Sequence, residues 1–264
     1  MTASPPPTAP VAPARRMAFN VVALLTGLLA GFVVFGLPSL VSPWFASGDQ
    51  VLHRVHDFGW GVLMGLIVAV GAFAQLRRAE EKVAGAQQVA AAAVALLLVA
   101  LLVLPPNPLP TVLAVLAALL VYLHPARARV LRGAVRPSPA MAAVALAGAV
   151  PLLWYAVAQA GTQRGAPATD PHTELLHYGA MAAMALALAL VAGLGAMRTV
   201  GWQIPALCAG LGAVWFGLGS AAFPDSEGSF GLAGGVLAVL GGIAYLVAAQ
   251  RETRRASPGR SRVT

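Results

Sequence analysis

The sequence predicts an all-α integral membrane protein with about eight transmembrane helices. Apolar residues make up 59% of the 264 residues and charged residues only 10%, a balance that a water-soluble domain of this size could not cover with polar surface. The apolar residues form long segments, and the basic residues collect in the short segments between them. This segregation is expected because a charge in the hydrocarbon core of a bilayer is costly.

Eight segments are apolar over the length that a helix needs to cross the hydrocarbon, about 20 residues. In chain order they are residues 17–37, 51–76, 85–104, 109–124, 139–160, 173–197, 202–222 and 229–249. The fourth is the shortest, and it directly follows a proline-rich turn at 104–108. Together these spans predict one transmembrane domain over residues 17–250.

The two ends of the chain read as cytoplasmic tails. Residues 1–16 are rich in Pro and Ala without apolar periodicity, which is typical of disorder, and residues 251–264 form a basic tail. The apolar run after Arg16 is longer than the core of a cleavable signal peptide, so we expect an uncleaved first span.

The basic residues also predict the orientation. With the N-terminus in the cytoplasm and eight spans, every Lys and Arg except Arg54 and Arg164 falls on the cytoplasmic side, as the positive-inside rule requires. The C-terminus is then cytoplasmic as well. The net charge of +8 therefore indicates orientation and attraction to the headgroups of the lipid bilayer, and it does not indicate a nucleic-acid partner.

A weak internal repeat relates the two halves, residues 17–127 and 138–250. His56 precedes Arg77 by 21 positions and His177 precedes Arg198 by the same number. Four spans separate the copies, so the sequence predicts two four-helix halves related by an axis along the membrane normal. Within the spans, glycines four residues apart such as Gly61 and Gly65 favour close helix packing.

Polar residues with metal-binding side chains gather at the starts of spans two and six, on the predicted outer side. Imidazole with carboxylate suits zinc, and imidazole with thioether favours copper. If the repeat holds, His56 and His177 face each other across the axis. The candidate metal ligands are His53, His56, His172, His177, Asp57, Glu174 and Met181.

Several of these polar residues also have a structural interpretation. Asp49 and Asp170 are expected to cap the helices that follow them, and Pro171 stands in the first helical position after Asp170. Met181 is expected to pack in the bundle if it binds no metal. His124, at the cytoplasmic end of the fourth span, is expected to contact lipid headgroups.

Missing features narrow the classes of function. No charged residue lies near the middle of a span, so a proton relay across the bilayer or a retinal-type Schiff base is hard to build. The sequence has no phosphate-binding glycine motif, nucleophile elbow or zinc-protease motif. Its single cysteine, Cys208, excludes an internal disulfide. A non-enzymatic function is favoured.

The stretch from Gln163 to Met184, with Asp170-Pro171-His172 and His177-Tyr178-Gly179, resembles uncharacterised multi-span membrane proteins of high-GC bacteria. The resemblance covers about a third of the chain and implies a bacterial cytoplasmic membrane, without an activity, cofactor or site residue.

Three functional hypotheses remain open at this stage. The first is an outward-facing His/Asp site between helices two and six that handles a metal ion, copper or zinc, or a small solute. The second is a b-type haem protein with His56 and His177 as axial ligands. The third is a non-catalytic partner or assembly factor of an envelope complex.

Overall fold

The computed structural model of the chain describes residues 12–103 and 107–255, which form eight long helices and no strand. The helices are α1 Pro13–Val33, α2 Gln50–Leu76, α3 Val83–Val103, α4 Pro108–Leu123, α5 Pro139–Gly165, α6 His177–Met197, α7 Gln203–Ala222 and α8 Gly231–Arg255. Short helical turns lie in the connections, among them Pro38–Leu40, Arg127–Arg132 and Pro171–Glu174.

Seven of the eight helices are long and apolar enough to cross a membrane. The exception is α4, whose 16 residues span about 24 Å at 1.5 Å per residue, less than the roughly 30 Å of hydrocarbon. The prediction of an all-α polytopic membrane protein is therefore confirmed, and the predicted fourth span is the only one of the eight that falls short of a full crossing.

The ends of the helical domain differ from the predicted boundaries. Helix α1 begins at Pro13 and not at residue 17, because proline at the first position needs no backbone donor and has its φ angle preset. The last helix continues to Arg255, so the first five residues of the predicted tail 251–264 are helical. The rest of the two predicted tails, residues 1–11 and 256–264, lies outside the described part of the chain.

The predicted sixth span is interrupted at its start. A single helical turn covers Pro171–Glu174, and Leu176 then takes the left-handed conformation, with φ at 60°. The continuous helix α6 begins only at His177. His172 and His177 consequently stand on two separate helical segments, although the sequence predicts a single helix for both.

The second, sixth and seventh helices are the most buried long helices of the bundle. Of the most apolar part of α2, 67% is buried inside the protein, compared with 17% for α5 and α8. Helix α3 packs against α6, and α7 packs against α2; likewise α1 packs against α4, and α5 against α8. The tandem repeat of two four-helix halves stays a prediction.

Glycines allow α2 to approach the segment that follows α1. Added Cβ atoms at Gly61 and Gly65 would overlap the backbone of Ser39 and Gly36, respectively. The middle of α2, Gly61–Ala69, is π-helical, a wider helix that is often found at functional sites. The pair of glycines four residues apart therefore has a packing role in this bundle.

His124 is placed differently from the prediction. It is fully buried and not at the lipid surface, with 0% of its area exposed. Its Nδ1 atom accepts from the backbone N–H of Ala126, and its Nε2 atom lies 3.3 Å from the side-chain oxygen of Gln75. Both ring nitrogens of His124 therefore have partners inside the protein.

Candidate metal centre

Four histidines from three helical segments meet at one end of the bundle. His53 and His56 stand near the start of α2, His172 on the turn Pro171–Glu174, and His177 at the first position of α6. The centroid of the His172 ring lies 4.6 Å from that of His56 and 4.8 Å from that of His53, and the His53 and His177 centroids are 4.8 Å apart. We call these four side chains the histidine cluster.

The turn that carries His172 is fixed by Asp170 and Gln163. The carboxylate of Asp170 accepts from the backbone N–H groups of His172 and Thr173, at 2.9 and 3.0 Å, which confirms the predicted cap. The N–H of Thr173 and then that of His172 stabilise the ionised carboxylate and so lower the pKa of Asp170. Gln163 of α5 donates to the carbonyl oxygen of Thr173 and accepts from the N–H of Gly179.

The predicted cap at Asp49 is wrong. Asp49 precedes α2 with ordinary right-handed helical backbone angles, and its side chain makes no capping hydrogen bond. A capping side chain needs an extended backbone at its own position, which Asp170 has and Asp49 lacks. The two helix starts are therefore not equivalent in detail.

Three members of the histidine cluster can share one ion. Each of His53, His172 and His177 offers a ring nitrogen, and the three ligand atoms lie within 4.8 Å of one another. The Nδ1 atoms of His53 and His177 are 3.1 Å apart, close to the roughly 3.3 Å that separates two ligands of a tetrahedral ion with bonds of about 2.0–2.1 Å. At this distance one nitrogen can also donate a hydrogen bond to the other. The distance therefore fits both a metal-bound pair and a hydrogen-bonded pair. We call the three residues His53, His172 and His177 the inner position.

His56 belongs to the histidine cluster but not to the inner position. Only 2% of its area is exposed, and neither ring nitrogen has a hydrogen-bond partner among the described residues. Its ring stacks on that of His177, with 5.2 Å between centroids and 23° between planes. The alternative of a b-type haem with His56 and His177 as axial ligands stays a prediction.

A second set of ligand atoms adjoins the inner position. Asp170, His172 and Glu227 bring one ligand atom each within 4.8 Å of the others, and we call them the outer position. The Nδ1 atom of His172 lies 2.8 Å from Oε2 of Glu227 and 3.7 Å from Oδ1 of Asp170. The hydroxyl of Tyr178 donates to the same Oε2 atom at 2.8 Å.

Glu227 is absent from the ligands predicted by the sequence. It stands in the connection between α7 and α8, far in sequence from the four histidines. The available signal was the topology, because an eight-span chain places this connection on the same side as the starts of spans two and six. Sequence spacing alone cannot show that a loop folds over a site.

Among the residues that the structure describes, two of the remaining predicted ligands, Asp57 and Glu174, belong to neither position, and Glu174 is exposed. Met181 is fully buried, and its sulfur packs so closely on Gly59 that an added Cβ atom there would overlap it. The placement of Met181 agrees with packing inside the bundle.

The fold and the site define a polytopic membrane protein with a histidine cluster at one end of its helical bundle. Comparison with protein-family profiles, with characterised proteins and with solved structures finds no match for this chain.

Proposed function

We propose that this protein binds a divalent transition-metal ion, zinc or copper(II), at the inner position. The observation that carries the proposal is the convergence of His53, His172 and His177, whose ligand atoms lie within 4.8 Å of one another. Three imidazoles that leave a fourth position open form a ligand set found in zinc sites. Handling of this ion at the membrane surface is then the function of the protein.

The choice of ion follows from the ligand types. Imidazole nitrogen suits zinc and copper(II), whereas copper(I) prefers thiolate or thioether sulfur. Cys208 is buried on α7, outside both ligand sets, and the Met181 sulfur packs on Gly59.

The proposed location is the outer face of a bacterial cytoplasmic membrane. The sorting of Lys and Arg supports cytoplasmic termini, and the resemblance of residues 163–184 to multi-span proteins of high-GC bacteria supports the bacterial assignment. The ends of the helices that carry the histidine cluster then open away from the cytoplasm. An ion bound there is taken up from the extracytoplasmic side or is held at that side.

Titration of the detergent-purified protein with Zn²⁺ and Cu²⁺, by calorimetry and elemental analysis, tests the proposal. We expect saturable binding in the wild type. Replacing His53 and His177 by alanine should weaken binding by more than about 100-fold, because the loss of even a supporting residue outside the ligand set costs about 10–100-fold. The apolar helices supply most of the stability, so the fold should persist.

Glu174→Ala is the matched control, since Glu174 lies on the same turn as His172 but outside both ligand sets. It should bind metal as the wild type does. His53→Gln removes a ligand but keeps a polar side chain of similar size, so a loss of binding in this variant does not come from misfolding. Circular dichroism checks helicity in every variant. Wild-type affinity in the double alanine variant would refute the proposal.

A further inference from the structure

We infer that the outer position is the entrance of the metal site, at which Glu227 and Asp170 capture the ion and pass it to the inner position through the shared ligand His172. This inference rests on the proposed function and adds to it a route and an entrance ligand. It assigns a role to the connection between α7 and α8.

The hydrogen bonding of His172 shows why a cation fits the outer position. The Nε2 atom of His172 lies 3.0 Å from the carbonyl oxygen of Leu52, and only a protonated nitrogen can bind to a carbonyl oxygen. In the neutral ring, Nδ1 then carries the only free lone pair, so it is the ligand atom of His172 at either position and binds at one position at a time. It lies 2.8 Å from the Glu227 carboxylate oxygen. Two lone pairs at this distance repel each other unless a positive charge lies between them.

A well-aligned hydrogen bond does not fill that place. Nδ1 of His172 is buried and has no hydrogen-bond partner of acceptable geometry among the described residues, although Oε2 of Glu227 lies 2.8 Å away. A metal ion coordinated from one side by both atoms has no such requirement of linearity. The geometry therefore favours a coordinated ion over a simple ion pair.

Glu227 is the most exposed ligand of the two positions. The side chain of Glu227 is 56% exposed, that of Asp170 27% and that of His172 7%, while His53 and His177 are half-buried. A hydrated ion can therefore reach Glu227 directly, and His172 is the residue common to both sets of ligands. The direction of the proposed route, from the carboxylates to the imidazoles, follows from the exposed position of Glu227.

The connection that carries Glu227 is held in place over the histidine cluster. Gly228 has a φ angle of 76°, and an added Cβ atom there would lie 3.0 Å from Nε2 of His56. The hydroxyl of Tyr155 donates to the Gly228 carbonyl oxygen at 2.6 Å, while Tyr178 holds the Glu227 carboxylate. Buried aromatic side chains thus position an exposed carboxylate, which suits a fixed entrance ligand better than a mobile surface charge.

The ligand chemistry separates the roles of the two positions. Two carboxylates attract a cation from solution and raise its rate of association, and they are harder ligands than imidazole. Neutral imidazoles suit zinc and copper(II), so the three-histidine set holds the ion at equilibrium. Loss of the Glu227 charge should slow loading without changing the final ligand set.

Rapid mixing of the full-length detergent-purified protein with Co²⁺ tests this inference, because the visible absorption of Co²⁺ reports its ligands and geometry. We expect Glu227→Gln to load about tenfold more slowly than the wild type, within the range of electrostatic effects on association. The final Co²⁺ spectrum should be unchanged. The amide oxygen of Gln can still accept from Tyr178, so the loop keeps its anchor.

Asp225→Asn is the matched control, since it removes the same charge from an exposed residue of the same connection that belongs to neither ligand set. It should load as the wild type does. If Glu227→Gln and Asp225→Asn load at equal rates, the entrance is refuted while metal binding stands. If Glu227→Gln changes the final spectrum or abolishes equilibrium binding, Glu227 is a ligand of the final site and the two-position route is wrong. Failure of the wild type to bind Co²⁺, Zn²⁺ or Cu²⁺ would refute the proposed function itself.

Discussion

The Nη1 atom of Arg198 lies 2.6 Å from the Oε2 atom of Glu252, at the end of the bundle opposite the histidine cluster. Arg198 follows the last residue of α6, and Glu252 lies near the end of α8 with only 5% of its area exposed. The second carboxylate oxygen accepts from the Ser138 hydroxyl at 3.1 Å, and Nη1 of Arg255 lies 3.3 Å from it. One buried carboxylate therefore joins the ends of α6 and α8 to the start of α5.

Removal of the Glu252 carboxylate should destabilise the bundle. Glu252→Ala leaves Arg198 partly buried without its partner, and such a loss costs about 3–5 kcal/mol when the pair is buried. We expect a clear fall in the thermal unfolding temperature in detergent. Glu81→Ala, at a side chain that is 67% exposed in its contact with Arg78, is the control and should change little. Equal unfolding temperatures for the two variants would contradict a stabilising role for Glu252.

The glycine at position 65 should not tolerate a methyl group. An added Cβ atom would overlap the Gly36 carbonyl, so Gly65→Ala has to displace backbone, at a cost of about 1–3 kcal/mol. A Cβ atom added at Gly148 of α5 would meet no neighbouring atom within 4 Å. Gly148→Ala should therefore be neutral or slightly stabilising, since alanine favours a helix more than glycine does. Thermal unfolding of the two variants in detergent measures the difference. A Gly65→Ala protein as stable as Gly148→Ala would show that the close approach is dispensable.

The capping carboxylate of Asp170 should protect the turn that carries His172. In Asp170→Ala the backbone N–H groups of His172 and Thr173 lose their acceptor, so hydrogen exchange in a peptide covering residues 171–177 should become faster. Asp49→Ala removes a carboxylate that caps nothing and should leave exchange at the start of α2 unchanged. Asp170→Asn retains a capping oxygen and should exchange like the wild type. Slow exchange in Asp170→Ala would show that other contacts hold this turn.

The orientation can be tested with reporter fusions. The sorting of Lys and Arg predicts that fusions after about residues 80, 130 and 199 report the cytoplasm. Fusions after about residues 45, 107, 166 and 226 should report the outer side. A fusion after residue 107 is the most informative, because α4 is shorter than a full crossing. A reproducible reversal there would show that α3 and α4 do not form two complete spans.

Much of the fold was accessible from the sequence because lipid imposes simple requirements. Backbone polar groups in hydrocarbon must be paired within helices, so a long apolar segment such as residues 51–76 predicts its own secondary structure. The structure places α2 within one residue of that prediction. Breaks and ends were harder, as the left-handed Leu176 shows, since a single residue conformation depends on contacts that the helical pattern does not contain.

The sequence by itself determined that the protein is an all-α polytopic membrane protein and that four histidines stand at the starts of two spans. Only the tertiary structure decided which ligand atoms meet: His53, His172 and His177 in one set, and Asp170, His172 and Glu227 in another. Hydropathy fixes where a helix lies relative to the bilayer, but not how it is rotated or how a connection folds over its end. Rotation and loop position arise from packing, such as the anchoring of the α7–α8 connection by Tyr155 and Tyr178, and these contacts join residues that are distant in sequence.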